Sequence, residues 1–492
     1  MRRILSRRPT GSAVDSLLLA SVKIVTLGST MANTMILSHS LTLTDYGTYA
    51  QGVLLVTICS DSTILGMADA VNYFFNRGGK RRLSRSYVRA IVMIQTIVGV
   101  VTALAMLIAQ GPIGGYFSNP LLPPLIILLA ARPMLTNMTS VFQVLIVSIG
   151  QARVIAIRNL VLAALKFIAV LITATITSNL AILFAMLLAL DALSLLWFWD
   201  SFRRWRYPVW PSLPSWRLIR RVLGLALPMG VYVLTATFMR QIGALVIGMN
   251  ESTERYAVYS NASMVLPLDL ISASFLTVIV PIVTRYIGAD QKERIRELFR
   301  HYLAVGYLTT GTFAVACLVV APEVVQVLYG ARYLDGLAVF CLYLVTAMVR
   351  FASLSLILSA AGRTRALMVV SLAAVAANAV LCPVLYALIG FVGPAVASVV
   401  VNAAMTWALL RLSLAEIEGS LRSAFDPRDL GLYALTALAV AVAGAGARWA
   451  LLSIGAPVPV IAVIVFTAVT AAVLALNRRS LMGSLRAINA MK

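Results

Sequence analysis

Acidic residues are scarce in this sequence of 492 residues, which has 18 aspartates and glutamates against 40 lysines and arginines. Histidine is scarcer still, since only His39 and His301 occur, and a histidine-based metal centre is therefore not expected. The four cysteines stand apart in apolar runs, a spacing that indicates neither a disulfide framework nor a zinc site.

Long polar stretches are also missing. The chain is 61% hydrophobic and 12% charged, with a mean hydropathy of +0.93. A soluble fold could not bury so much apolar surface, whereas repeated apolar runs of about twenty residues are typical of membrane spans. Because lipid offers no hydrogen-bond partners and the alternation typical of barrel strands is absent, the spans are predicted to be helices. The sequence thus predicts an all-α integral membrane protein.

We predict 14 transmembrane helices, joined by short connections that leave no room for a soluble domain. The predicted spans are 15–38, 47–69, 87–109, 121–147, 154–174, 180–200, 222–248, 257–284, 301–321, 336–360, 366–388, 392–412, 431–453 and 458–476. The basic stretch that opens the chain is interpreted as a cytoplasmic lead-in to an uncleaved first span.

The net charge of +22 follows from membrane topology. Most basic residues, Arg158 near the start of the fifth predicted span among them, lie in or next to the connections on one side, and the opposite side has only Arg255, Arg332 and Arg448. By the positive-inside rule both termini are predicted to be cytoplasmic. The tryptophan-rich basic run 203–221 is interpreted as an interfacial belt that contacts anionic phospholipids, and nucleic acid is not an expected partner.

An internal repeat divides the chain. Residues 45–51 (DYGTYAQ) align with residues 255–261 (RYAVYSN), so that Tyr46 and Tyr49 fall on Tyr256 and Tyr259. Six spans separate the copies, which predicts two parallel six-helix repeats (MATE-like lobes) followed by two further helices. The predicted organisation is a cytoplasmic N-terminus 1–14, an N-lobe 15–200, a basic cytoplasmic inter-lobe loop 201–221, a C-lobe 222–412, a cytoplasmic linker 413–430, the last two spans within 431–476 and a cytoplasmic tail 477–492.

Several short motifs recur in the order known from one family. They are Leu43–Ala50, Asp61, Leu65–Gly66, Val327–Gly330, Gly362–Arg365, Asn378 and Gly390–Ala397. In this order the sequence resembles the polysaccharide transporter family of the MOP exporter superfamily, which includes flippases for lipid-linked oligosaccharides such as O-antigen units. The resemblance extends over nearly the whole chain.

The resemblance implies a transporter and not an enzyme. Members of that family are thought to move undecaprenyl-diphosphate-linked sugars across the bacterial inner membrane by alternating access, through a cationic central cavity between two lobes. The implied partners are the lipid-linked oligosaccharide, a polysaccharide polymerase and chain-length machinery. No cofactor is implied, and coupling to a proton or sodium gradient or to the membrane potential is left open.

Five cations lie well inside predicted spans, away from the span ends, where each costs roughly 2.5–3.5 kcal/mol unless it is paired or faces water. They are Lys23, Arg132, Lys166, Arg240 and Arg350. All but Lys166 are expected to bind the anionic cargo, although for Arg132 and Arg350 an interhelical hydrogen-bonding role is an equal alternative. Lys23 shares a helical face with Thr26, Thr30 and Thr34, expected to be polar residues of the cavity.

Acidic partners are assigned by depth and helical face. Asp191 is expected to form a structural ion pair with Lys166. Asp269, which shares a face with the predicted cavity residue Asn261, is expected either to bind a coupling ion or to pair with Arg240. Asp61 is expected to face the basic cytoplasmic loop.

Two other classes of membrane protein differ from a flippase in the residues that they require. A MATE-type multidrug or small-molecule exporter is the alternative, but such an exporter would carry acids in its lobes, whereas this chain places cations there. A membrane enzyme would need catalytic groups on a long outer connection, and the predicted connections are too short.

Overall fold

The computed structural model describes residues 12–77, 81–205, 207, 209–211, 214–264 and 270–491. All regular elements in this part of the chain are helices, and none of them is a strand. This agrees with the predicted all-α membrane class, because a helix satisfies its own backbone hydrogen bonds in lipid.

The chain divides into two compact units. The first contains residues 1–241 and 248–257. Its helices are α1 (Ser12–Ser40), α2 (Leu43–Thr63), α3 (Met67–Arg77), α4 (Arg81–Ile108), α5 (Gln110–Tyr116), α6 (Leu122–Leu129), α7 (Arg132–Ser148), α8 (Ala152–Ile172, followed by a π-turn Thr173–Thr177), α9 (Leu180–Arg204), most of α10 (Trp216–Asn250) and the first half of α11 (Thr253–Ala262).

The second unit contains residues 242–247 and 258–492. Its helices are α12 (Leu270–Gly288), α13 (Lys292–Gly306, continued by a π-turn Tyr307–Gly311), α14 (Thr312–Val319), α15 (Ala321–Tyr329), α16 (Leu337–Val349), α17 (Leu356–Ala360), α18 (Thr364–Ile389), α19 (Gly393–Glu416), α20 (Leu421–Ala424), α21 (Pro427–Ser453), α22 (Val458–Leu476) and α23 (Arg478–Ala490).

Ten helical stretches of the described residues are long and apolar enough to cross a membrane, or eleven if the bent pair α2 and α3 counts as one span. One of the ten, Thr364–Glu416, has 53 residues and consists of α18 and α19, which were predicted as separate spans. The count of 14 membrane-crossing helices and their arrangement as two repeats remain predictions.

The division between the units falls inside α10, after Gln241, and inside α11, after Ala257. The predicted lobe boundary is the loop 201–221, which is shorter in the structure because α9 ends at Arg204 and α10 begins at Trp216. The compact units are defined by contacts within the structure, whereas the predicted lobes are defined by the sequence repeat. The predicted lobes therefore remain predictions.

Apolar packing gives each unit its own core. In the first unit α3, α4, α7 and α9 surround buried side chains such as Phe142, Leu145 and Phe198. In the second unit α21 and α22 pack against the region around the π-turn after α13, where Val465, Val469 and Tyr433 are buried. The two helices after the predicted repeats are therefore integrated into the second unit.

Candidate functional site

The repeated turn begins α2 and is built from local hydrogen bonds. Thr42 is the N-cap, and its hydroxyl accepts from the Asp45 backbone N–H at 3.1 Å while donating to the Asp45 carboxylate at 2.7 Å. This arrangement satisfies an otherwise free donor of the first helical turn. Asp45 thus stabilises the start of the helix.

One buried asparagine holds the next turn of α2. The Asn119 amide donates to Thr48 Oγ1 at 2.9 Å and to Gln51 Oε1 at 2.7 Å. Its own Oδ1 accepts from the Leu121 backbone N–H at 2.9 Å. These buried contacts fix α2 to the loop before α6, so the motif acts in packing more than in chemistry.

The start of α2 lies against the start of α11. Thr44 Oγ1 donates to Glu254 Oε1 at 2.6 Å. A Cβ at Gly47 would overlap the Thr253 carbonyl and lie 2.7 Å from Thr253 Cγ2. The hydrogen bond from Thr44 lowers the pKa of Glu254 below its ordinary value, because it stabilises the charged carboxylate.

The other end of α2 carries a charged contact. Thr237 Oγ1, on α10, donates to Asp61 Oδ2 at 2.5 Å and accepts from Arg240 Nη2 at 3.4 Å. Arg240 Nη2 itself is 4.0 Å from Asp61 Oδ2. The expectation that Asp61 faces the cytoplasmic loop is therefore wrong, because its carboxylate points at α10.

Two glycines allow this close approach of α2 and α10. Gly66, with a φ of +68°, follows the end of α2, and a Cβ there would lie 2.8 Å from Met229 Cβ. A Cβ on Gly230 would lie 2.8 Å from Leu65 C. Backbone therefore packs directly on backbone, an arrangement common in membrane helix pairs with small residues. It explains why most of α10 belongs to the first unit.

A second charge cluster joins α7, α8 and α9. Arg132 Nε lies 2.9 Å from Asp191 Oδ2, and Lys166 Nζ lies 3.5 Å from Asp191 Oδ1. The structure thus brings the predicted partners Lys166 and Asp191 together and adds Arg132 to the same carboxylate. Arg132, whose side chain is 11% exposed, therefore forms an interhelical ion pair with Asp191.

The sequence groups Arg158 with the basic residues of the cytoplasmic side, near the start of the predicted span 154–174. It lies within α8 and is buried, where Nε donates to Ser194 Oγ at 3.0 Å and Nη2 donates to the same oxygen. Its guanidinium also lies 4.5 Å from the centre of the Phe198 ring. A signal was available, since Arg158 is three residues from Ile155 and eleven from Ala169, spacings that share one helical face.

Lys23 is exposed on α1, and it lies near no carboxylate of the described residues. Thr26 donates to the Lys23 carbonyl, and Thr30 donates to the Thr26 carbonyl, each at 2.9 Å. Thr34 is half-buried. The described contacts do not join Lys23 to Arg240.

Two predicted site residues, Arg350 and Asn261, lie in the described part of the second unit. Arg350 is exposed directly after α16, and its backbone N–H donates to the Thr346 carbonyl at 3.0 Å. Asn261 is buried near the end of α11. Asp269 lies outside the described residues. Among the described residues of the first unit, the charges thus form two clusters, one around Asp61 and one around Asp191.

The sequence matches a family model over residues 36–338, and the family is described as polysaccharide biosynthesis protein. The chain belongs to this family. The resemblance predicted from the ordered motifs is thereby confirmed. Among curated proteins, none matches the sequence.

Solved structures of MOP superfamily transporters share the fold. "Lipid II flippase MurJ, inward closed conformation" is 10% identical with a TM-score of 0.69, over 92% of this chain and 98% of that chain. An inward-facing multidrug resistance MATE family transporter is 15% identical with a TM-score of 0.58, over 81% of this chain and 98% of that chain.

A third structure shares the fold. It is a MOP superfamily transporter from Pyrococcus furiosus whose binding pocket is described as having a reverse polarity that suggests a different function. It is 13% identical to this chain, with a TM-score of 0.55, over 85% of this chain and 97% of that chain. Identities this low establish the fold and leave the cargo to be argued from the residues.

Proposed function

We propose that this protein is a flippase that moves undecaprenyl-diphosphate-linked oligosaccharide across the bacterial inner membrane for surface polysaccharide synthesis. The products would be O-antigen, capsule or exopolysaccharide. Family membership supports a role in polysaccharide synthesis, and the shared fold supports transport. Both termini are proposed to be cytoplasmic, as the distribution of basic residues predicts.

The observation that carries this proposal is that the Arg240 side chain is exposed and only loosely paired with a carboxylate. Its side chain is 52% exposed, and its nearest carboxylate oxygen, on Asp61, is 4.0 Å away. A guanidinium has five N–H donors, and most of those on Arg240 are available to a ligand. Planar paired donors suit the oxygens of a phosphate. The exposed Lys23 supplies a second cation of the first unit.

The carboxylates support an anionic cargo in the same way. Asp191 already contacts both Arg132 and Lys166, while Asp61 is held by Thr237. A carboxylate engaged in this manner is a poor receptor for a cationic drug, because binding would first require the pair to be broken. The MATE-type exporter, although its fold is shared, is therefore the second candidate.

Transport is proposed to proceed by alternating access and to be coupled to a proton or sodium gradient or to the membrane potential. Asp269 remains the proposed coupling residue if an ion is used. A polysaccharide polymerase and chain-length machinery are proposed to receive the flipped oligosaccharide, and anionic phospholipids to surround the basic cytoplasmic loops.

A strain lacking the gene tests the proposal. We expect lipid-linked oligosaccharide to accumulate on the cytoplasmic leaflet, measured by its resistance to a membrane-impermeant lectin or glycosidase in intact spheroplasts. Plasmid-borne wild type should restore exposure, whereas Arg240→Gln should not. Arg204→Gln is the matched control, because Arg204 is an exposed arginine paired with Asp200 on its own helix. Unchanged exposure in the deletion strain, with lost resistance to cationic dyes, would contradict the proposal and favour the exporter.

A further inference from the structure

The Asp61 carboxylate lies beside Arg240, the proposed anion-binding arginine, but does not occupy all of its hydrogen-bond donors. Thr237 is buried with 1% exposure and connects the two, since its hydroxyl donates to Asp61 and accepts from Arg240. Asp61 is 30% and Arg240 is 52% exposed, so both charged side chains are partly accessible. The order Arg240–Thr237–Asp61 is therefore a hydrogen-bonded relay and only loosely an ion pair.

Asp61 is rigidly placed. Asn137 on α7 donates to the Ser60 carbonyl and to Thr63 Oγ1, each at 3.0 Å, and Gln95 on α4 donates to the Thr63 carbonyl at 3.1 Å. The α2 backbone around Asp61 is thus tied to two further helices. The Asp61 carboxylate is in turn tied to α10 by Thr237.

Arg240 is held much more loosely. The structure gives its guanidinium one hydrogen bond, at 3.4 Å, and one ion-pair contact, at the longer distance of 4.0 Å. By contrast, the Arg132–Asp191 and Arg448–Glu323 pairs have N–O distances of 2.9 and 2.8 Å. The Thr237 hydroxyl therefore bridges Arg240 and Asp61, whose closest charged atoms stay 4.0 Å apart.

We propose that Asp61 is a positioning residue that competes with the cargo for Arg240. In the unloaded protein the Asp61 charge orients the guanidinium through Thr237. When a diphosphate binds, its oxygens displace the weak contact to Asp61, and the nearby negative charge limits how tightly the anion is held. This rests on the proposed function, because it assumes that Arg240 meets an anionic group. The Asp61 charge would then favour release of the cargo from Arg240.

Two substitutions with opposite expected effects test the proposal. Asp61→Asn removes the competing charge at constant shape, so anion affinity should rise, by about tenfold. Thr237→Val removes the hydroxyl that bridges the two side chains, so Arg240 and Asp61 should close up and anion affinity should fall. Asp61→Glu restores the charge and should return the affinity towards that of the wild type. A purely structural role would not produce gains and losses of opposite sign.

The probe is inorganic pyrophosphate, titrated into the purified full-length protein and followed by ³¹P NMR line broadening. Arg240→Gln should lose binding, and Asp61→Asn combined with Arg240→Gln should behave like Arg240→Gln alone. The gain in Asp61→Asn should shrink at high salt, since exposed charges are screened. Thermal unfolding measured alongside identifies any variant that fails to fold. If either Asp61→Asn or Thr237→Val fails to fold, the affinity of the other variant tests the proposal.

Two negative results have different meanings. If Arg240→Gln loses pyrophosphate while Asp61→Asn binds it no more tightly than wild type, the competition is refuted and the proposed function stands. If wild type and Arg240→Gln bind pyrophosphate equally well, or neither binds it, Arg240 is not an anion site. That second result removes the basis of both proposals.

Discussion

Thr44 and Glu254 share a 2.6 Å hydrogen bond although they are 210 residues apart in the chain. The same offset relates Tyr46 to Tyr256 in the repeated turn, so the two residues occupy equivalent positions of the two predicted repeats. The contact therefore joins equivalent positions of the predicted repeats, whose parallel arrangement stays a prediction.

The bond from Thr44 to Glu254 predicts a pH-dependent stability. The folded-state pKa of Glu254 is lowered, so the contribution is present above the unfolded-state pKa and is lost as pH falls through the folded value. Thr44→Val should lower stability by about 1 kcal/mol near pH 7, since the contact is only partly buried. Thermal unfolding of wild type and variant should converge as the pH falls below about 4, near the ordinary pKa of Glu.

Thr57→Val is a suitable control for that measurement, because Thr57 donates to the Val53 carbonyl of its own helix. Its effect should be the same at both pH values. A Thr44→Val difference that persisted unchanged at low pH would show that the Glu254 charge does not contribute.

Gly47 predicts a steric effect. Gly47→Ala would place a methyl group against the Thr253 carbonyl and within 2.7 Å of Thr253 Cγ2. Overpacking of this kind costs about 1–3 kcal/mol, so the melting temperature of the purified protein should fall. Gly28→Ala is the matched control, since a Cβ at Gly28 in α1 would meet nothing within 4 Å. Its melting temperature should be unchanged or higher, because alanine favours a helix more than glycine does. Equal melting temperatures for the two variants would contradict the close approach of α2 and α11.

The sequence predicted the features that depend on composition and local spacing. Apolar run lengths predict the helical class, and the comparable depth of Lys166 and Asp191, joined by a short turn, predicts that they meet. The outcome differs for Asp61, whose partner Thr237 is 176 residues away. No local pattern encodes that contact, because it depends on how α2 and α10 pack through Gly66 and Gly230.

Arg158 illustrates a feature that the sequence did not predict, the burial of its side chain. The positive-inside rule assigns arginines near span ends to one side of the membrane, and it does not register a buried hydroxyl on the next helix. In the structure Ser194 accepts from the guanidinium and the Phe198 ring covers it. These two contacts, which stabilise the buried charge, arise from tertiary packing. In the sequence, only the helical face that Arg158 shares with Ile155 and Ala169 indicates that the side chain is buried.

The Asp191 cluster predicts an asymmetric response to mutation. Asp191→Asn would leave Arg132 and Lys166 without their carboxylate, and breaking a buried pair in this way costs about 3–5 kcal/mol. Adding Arg132→Gln to Asp191→Asn should recover part of the loss, because one uncompensated charge is removed. Folded yield and melting temperature in detergent report both effects.

Asp200→Asn provides the comparison for the Asp191 cluster. Asp200 pairs with Arg204 on the surface, where both side chains are more than half exposed, and such pairs contribute about 0–1 kcal/mol. If Asp191→Asn were as mild as Asp200→Asn, the cluster would have no structural role.

The last prediction concerns the attachment of α21 to the second unit. Arg448 Nε donates to both oxygens of Glu323, at 2.8 and 2.9 Å, and the Glu323 side chain is 4% exposed. Arg448→Gln would leave this carboxylate buried without its cation, so we expect a loss of about 3 kcal/mol and easier proteolysis of the connection between α21 and α22. Glu323→Gln combined with Arg448→Gln, which removes both charges, should be milder than Arg448→Gln alone. Equal losses in the single and double variants would mean that packing around Tyr433, and not this ion pair, attaches α21 to the second unit.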